Sequence, residues 1–211
     1  MLRDRGDAPG GPDAAPDRGA AGGTAERPDV ATVVEALRAR GAAGIPHPGG
    51  TLLAHLERVH ALLTEWGARP ALRLAGLCHA FYGTDGFPAA LGDATRRDEL
   101  TAIIGEEAER LVYFYAACDR RVSHPHMADR DGAYKDRFTG AVSRPPLASR
   151  RDFAELTAAN ELDIMRVNAD LRARHREPLL RLFAAWRDLL SARAWQAVSA
   201  LPRGAEPPPE G

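Results

Sequence analysis

Apolar residues recur at helical spacing through nearly every patterned stretch between residues 30 and 200, and this periodicity most constrains what the chain can fold into. In TLLAHLERVHALLTEWG (51–67), Leu52, Leu56, Val59, Leu63 and Trp66 define one face of a helix. Thr51 stands where an N-cap is needed and Gly67 where the helix should stop. Pro70 then opens PALRLAGLCHAFYG, almost continuously apolar from Leu72 to Phe81, the pattern of a central, buried helix. Asp29 is the expected cap of a helix over 30–40, and Thr95 with Asp98 resembles a capping box for a short helix ending at Gly105. An acidic first turn marks a helix over 106–120. A short hairpin is expected around 138–140. Ser149 and Asp152 start a long helix to about 169, Pro178 at a first helical position starts another, and 192–200 continues it.

These patterns predict an all-α single domain over 30–200. Residues 1–29 hold six Gly and four Pro against one large aliphatic residue, Leu2, and 201–211 (LPRGAEPPPEG) are similar. Neither segment can bury enough apolar surface to offset its ordering entropy, so both are expected to be disordered tails.

Charge excludes several function classes. The 211 residues carry 28 basic and 29 acidic side chains, a formal net charge of −1, which removes the electrostatic case for a nucleic-acid partner. No apolar run reaches the ~20 residues of a membrane helix, and no apolar signal segment follows Met1. Cys78 and Cys118 form neither a disulfide ladder nor a metal knuckle, so a cytoplasmic setting is expected. No phosphate loop or dinucleotide fingerprint occurs, which leaves a small-molecule substrate without a nucleotide cofactor.

The informative residues are polar ones standing where packing alone would ask for leucine. A 100° step per residue puts His55 on the apolar face of 51–66, and His79 lies inside the apolar run LAGLCHAFYG. Asp119 follows Ala108, Val112 and Tyr115 down an expected inward stripe, near the negative end of its helix. An inward carboxylate there needs a cation, either a metal ion or an arginine such as Arg120 or Arg121. Each polar residue could have a private partner, but one shared metal would satisfy all three.

LLAHLERVHALLTEWG followed by LRLAGLCHAFYGT, with AACDR later, resembles the HD-domain superfamily over about residues 51–121. The CHAFYGT form, IGEEAERL and FAELTAANELDIM are most similar to an HD-like family that carries H-[SA]-x-Y-G-T in place of HD-x-G-K. The resemblance implies an HD-like helical bundle with His55, His79 and Asp119 as metal ligands. Where HD phosphohydrolases have a ligating Asp, this chain has Ala80, which coordinates nothing. What remains is a mononuclear set of two His and one Asp, suited to Fe, Mn, Zn or Co and to the activation of water or dioxygen. His47 could enter the site as a helper or remain a loop histidine. Tyr82 could donate to an oxyanion or merely precede the helix stop at Gly83. Asn160, inside TAANEL, suggests a buried polar role. His60, His124, His126 and His175 are expected to be bystanders. The competing expectation is a metal-free binding or accessory protein with a degenerate pocket.

Overall fold

Thr51 accepts a hydrogen bond from the Ala54 amide at 3.2 Å, and from this cap helix α2 (Leu52–Glu65) runs to Gly67, whose φ of +77° ends it. The computed structural model describes residues 28–202 apart from Pro88. Before α2 come α1 (Val30–Ala39) and a two-residue hairpin, β1 (Pro46–His47) with β2 (Gly50–Thr51). After it come α3 (Pro70–Cys78), α4 (Arg97–Ile104), α5 (Glu106–Ala116) and the single turn α6 (Arg120–Ser123). A second short hairpin pairs β3 (Tyr134–Lys135) with β4 (Val142–Ser143), its turn holding residues 138–140 as expected. The long α7 (Leu147–Val167), α8 (Ala169–Ala185) and α9 (Ala192–Ser199) complete an all-α single domain. No helix among the described residues is long and apolar enough to cross a membrane.

Two apolar clusters share α2. One gathers Val33, Leu37, Leu52, Leu56, Leu77, Phe81 and Val112 from α1, α2, α3 and α5, with Phe81 just past α3. The other gathers Val59, Leu63, Phe153, Leu156, Leu162 and Trp186 around α7 and the C-terminal helices. Gly76 lets α3 lie close against α2: a Cβ added there would meet Leu63 Cδ1 at 2.4 Å. That close approach brings the C-terminal end of α3, and His79 with it, to α2.

The structure differs from expectation in several places; Asp29 stands at the N-cap of α1 without a side-chain hydrogen bond, and α9 is separate from α8. Thr95 does not cap α4; its amide and hydroxyl both bind Asp93 Oδ1 at 2.8 Å, and the helix starts at Arg97. The local Asx turn has outcompeted the capping box. Pro178 lies inside α8 rather than at its start. Asn168 accepts from the Leu171 amide at 2.9 Å and begins that helix nine residues earlier. Helix α5 ends at Ala116, so Asp119 does not continue its stripe but caps α6, accepting from the Val122 amide at 3.2 Å. Leu201 is buried and its carbonyl accepts from Arg176, so the domain reaches past residue 200. Of the two expected tails, 1–27 and 203–211 lie outside the described residues.

Candidate functional site

Helices α2, α3 and α7 each bring buried polar groups to one point. His55 on α2 donates from Nδ1 to Asp163 Oδ2 on α7 at 2.6 Å, since a carboxylate can only accept. Arg58, one turn along α2, grips the same carboxylate with Nε at 2.7 Å and Nη2 at 2.9 Å. Burial pushes the Asp163 pKa up, but the hydrogen bonds from His55 and Arg58 outweigh it and hold the carboxyl below its usual range. His79, capping the C-terminus of α3, donates from Nδ1 to the Gly76 carbonyl at 2.8 Å. Each ring therefore has its proton fixed on Nδ1 and its Nε2 turned inward.

The two inward nitrogens stand 3.4 Å apart, and Asn160 Oδ1 lies 3.0 Å from His55 Nε2. The orientation of the Asn160 amide is set by its Nδ2, which donates to Glu161 Oε1 at 3.1 Å. Turning the amide over would place its oxygen against that carboxylate. Two imidazole nitrogens and one carbonyl oxygen thus converge inside a site where His55 and His79 are 1% and 2% exposed. Burial, and then the neighbouring His55, push the His79 pKa down to about 3, so its ring is neutral and its Nε2 is an acceptor.

A cavity of about 690 Å³ opens beside this point. His79, Asn160, Glu161, Arg120, Asp85 and Thr84 supply much of its polar lining, and leucines of α8 supply apolar lining. Arg120 donates to Glu161 at 3.3 Å and to the Tyr115 hydroxyl at 3.2 Å, while its backbone amide binds Asp85 at 2.9 Å. His47 also lines the cavity. Its ring stacks on His55 with centroids 4.0 Å apart, and its Nδ1 is buried without a partner. Burial, followed by His55, pushes its pKa down to about 4.

Of the residues singled out from the sequence, the structure brings His55, His79, His47 and Asn160 together. Asp119 is not brought to them. Its carboxylate caps α6 and pairs with Lys135 Nζ at 3.1 Å, and the Lys135 hydrogen bond leads the causes that lower its pKa. The cation that it needed is that lysine, and at the N-terminus of α6 it faces the favourable end of the dipole. Tyr82 does not line the cavity. It donates to Glu109 Oε1 at 3.0 Å, and burial, then the Glu109 carboxylate, raise its pKa. Among the described residues, no group of three or more His, Cys, Asp or Glu is arranged to hold a metal ion.

Asp163, Arg58, Asp85 and Glu161 have no part in the sequence reading, and Arg120, expected there only as a partner for Asp119, lines the cavity instead. A signal for two of them was present: Arg58 follows His55, and Asp163 follows Asn160, at i+3, so each pair shares a helix face. His124 and His175, set aside as bystanders, line the cavity, and His124 Nε2 is buried without a partner. Burial, then Arg120, lower the His124 pKa to about 4.

No curated protein and no solved structure matches the chain. Residues 36–120, which carry His47, His55 and His79 but end before Asn160 and Asp163, match the family model described as Domain of unknown function (DUF6817).

Proposed function

We propose that the chain is a small-molecule metalloenzyme in which His55 Nε2, His79 Nε2 and Asn160 Oδ1 hold one divalent cation beside the cavity. The observation that carries it is the convergence of His55 Nε2, His79 Nε2 and Asn160 Oδ1, each on a side chain whose other polar atom is hydrogen-bonded elsewhere. Two imidazole nitrogens bound to one ion at about 2.1 Å with a near-tetrahedral angle stand roughly 3.4 Å apart, the separation found between His55 and His79. Each ring also donates its other N–H to an oxygen, as metal-bound histidines do.

Zn, Co, Mn or Fe suits two imidazoles and an amide oxygen. The set lacks a carboxylate, because Asp119 is engaged by Lys135 and Ala80 has none. This favours Lewis-acid chemistry, such as hydrolysis, over the dioxygen activation associated with two His and one carboxylate. When bound, the ion would supply electrostatic polarisation of a substrate oxygen. The protein's own groups do the rest. Asp163 and Arg58 keep the His55 proton on Nδ1, the Gly76 carbonyl does the same for His79, and Glu161 aims the Asn160 oxygen. The apolar wall excludes water from the substrate.

A metal-free binding protein is the second reading. A proton on His55 Nε2 would satisfy Asn160 Oδ1 and His79 Nε2 together, with Asp163 balancing the charge. Metal analysis of protein purified without a histidine tag separates the two. The expected result is close to one divalent ion per chain, lost in His79→Leu and Asn160→Ala and retained in Asp119→Ala. Under a tenth of an ion per chain, with no rise in Tm on adding Zn, Co, Mn or Fe, would establish the metal-free reading.

A further inference from the structure

Helix α8 is 17 residues long, yet Phe183 is its only buried side chain. Its apolar residues are not simply surface leucines. Leu171, Leu179 and Leu182 recur at helical spacing and all face the cavity, with His175 and Pro178 between them. From Leu171 to Leu182 this stripe extends about 16 Å at 1.5 Å per residue. Ile164 and Met165 of α7 and Leu52 of α2 complete the wall. An amphipathic helix normally buries such a stripe against a core. Here the three leucines are half-buried against the C-terminal core cluster, and their remaining surface faces the cavity, where a ligand would complete the burial.

The polar lining of the cavity has the opposite chemistry. His79 Nε2 and Asn160 Oδ1, on residues that are 2% and 6% exposed, both lie against His55 Nε2, at 3.4 and 3.0 Å. Two carboxylates, Asp85 and Glu161, stand there against one guanidinium, Arg120, and Asp85 makes no ion pair among the described residues.

We infer that the cavity takes an uncharged amphiphile, a hydrocarbon tail lying along the α8 leucines with an O–H or N–H head beside His79 and Asn160, and that it discriminates against anionic heads. This names a substrate class for the small-molecule site proposed above, but its test does not depend on the metal.

Chelator-treated full-length protein is titrated with primary alcohols from butanol to decanol, followed by calorimetry and by Tm. At about 0.8 kcal/mol per buried methylene, each added CH₂ should tighten binding about fourfold until the wall is covered, after which the series levels off. Octanoate should bind at least tenfold more weakly than octanol. Leu179→Trp should shift the optimum to a shorter chain, and Leu182→Phe should do so if the first variant does not fold. No dependence on chain length, a preference for octanoate, or an optimum unmoved by both substitutions would overturn the inference. Because the titration is metal-free, it succeeds or fails independently of the metal content measured above.

Discussion

Two buried polar clusters in this protein are built from nearly the same parts. At one, Glu109 receives Arg97 through Nε at 2.7 Å and Nη2 at 2.6 Å, and Tyr82 donates to it at 3.0 Å. At the other, Asp163 receives Arg58 through two nitrogens, and His55 donates to it at 2.6 Å. The first is closed. The Tyr82 hydroxyl has spent its one proton, and the Arg97 guanidinium lies over the Tyr113 ring at 4.0 Å. The second is open, because His55 carries a second nitrogen, which meets His79 and Asn160 at the edge of the cavity. Buried polarity alone therefore does not mark a site. Hydrogen-bonding capacity left over after the structural bonds are counted does.

Among single substitutions at neutral pH, removing the acid from the closed cluster should cost the most stability. Glu109→Ala strands the buried Tyr82 hydroxyl and leaves Arg97, which is 39% exposed, to turn to water. A loss of about 2–3 kcal/mol is expected by urea denaturation, with the metal content of the folded protein unchanged. A loss of bound metal on a still-folded chain would mean that the two clusters are coupled.

Acid should weaken the open cluster next. The pKa of His79 falls from 6.5 to about 3 on burial, so between those values the unfolded chain binds the proton that the folded chain refuses. Stability is therefore full above pH 6.5 and falls as the pH drops, by about 1.4 kcal/mol per unit for this one group. His47 and His124 act in the same direction down to about pH 4. Asp163 has the opposite kind of shift: its contribution is present above the ordinary 3.8 and is lost only below it. Chelated protein unfolded in urea at pH 7.5, 6.5 and 5.5 should show the slope, and His79→Leu should reduce it by one proton. An equal slope in both proteins would remove His79 as its source.

The smallest effect sharpens the contrast most. His79→Leu at pH 7.5 gives up one bond to the Gly76 carbonyl and only a long contact, 3.4 Å, with His55 Nε2. Metal-free stability should change by less than about 1 kcal/mol, while any rise in Tm on adding Zn or Co disappears. A loss of several kcal/mol would make His79 a structural residue like Tyr82.

Much of this was legible in the sequence, and the exceptions share a cause. His55 and His79 stand out because each interrupts an apolar helix pattern, and that signal is local. Asp119 looked inward only so long as its helix was taken to run to residue 120. The break after Ala116 reversed its place in the dipole and gave it Lys135, a partner set by the β3 strand. Tyr82 carries no local sign of Glu109, which lies 27 residues away. Proline favours a helix start, but Pro178 lies inside α8 because the Asn168 cap comes first.

The sequence by itself determined an all-α chain, its principal helices and the two histidines that interrupt their apolar faces, because caps and periodicity act over a few residues. Only the tertiary structure decided which polar groups are left with capacity to spare. Asn160 and Asp163 reach His55 across more than a hundred residues of sequence, and the α8 leucines become the wall of a cavity only once α7 and α8 are packed. Whether a buried group is satisfied depends on every neighbour it meets, and those neighbours are assembled by folding rather than by spacing along the chain.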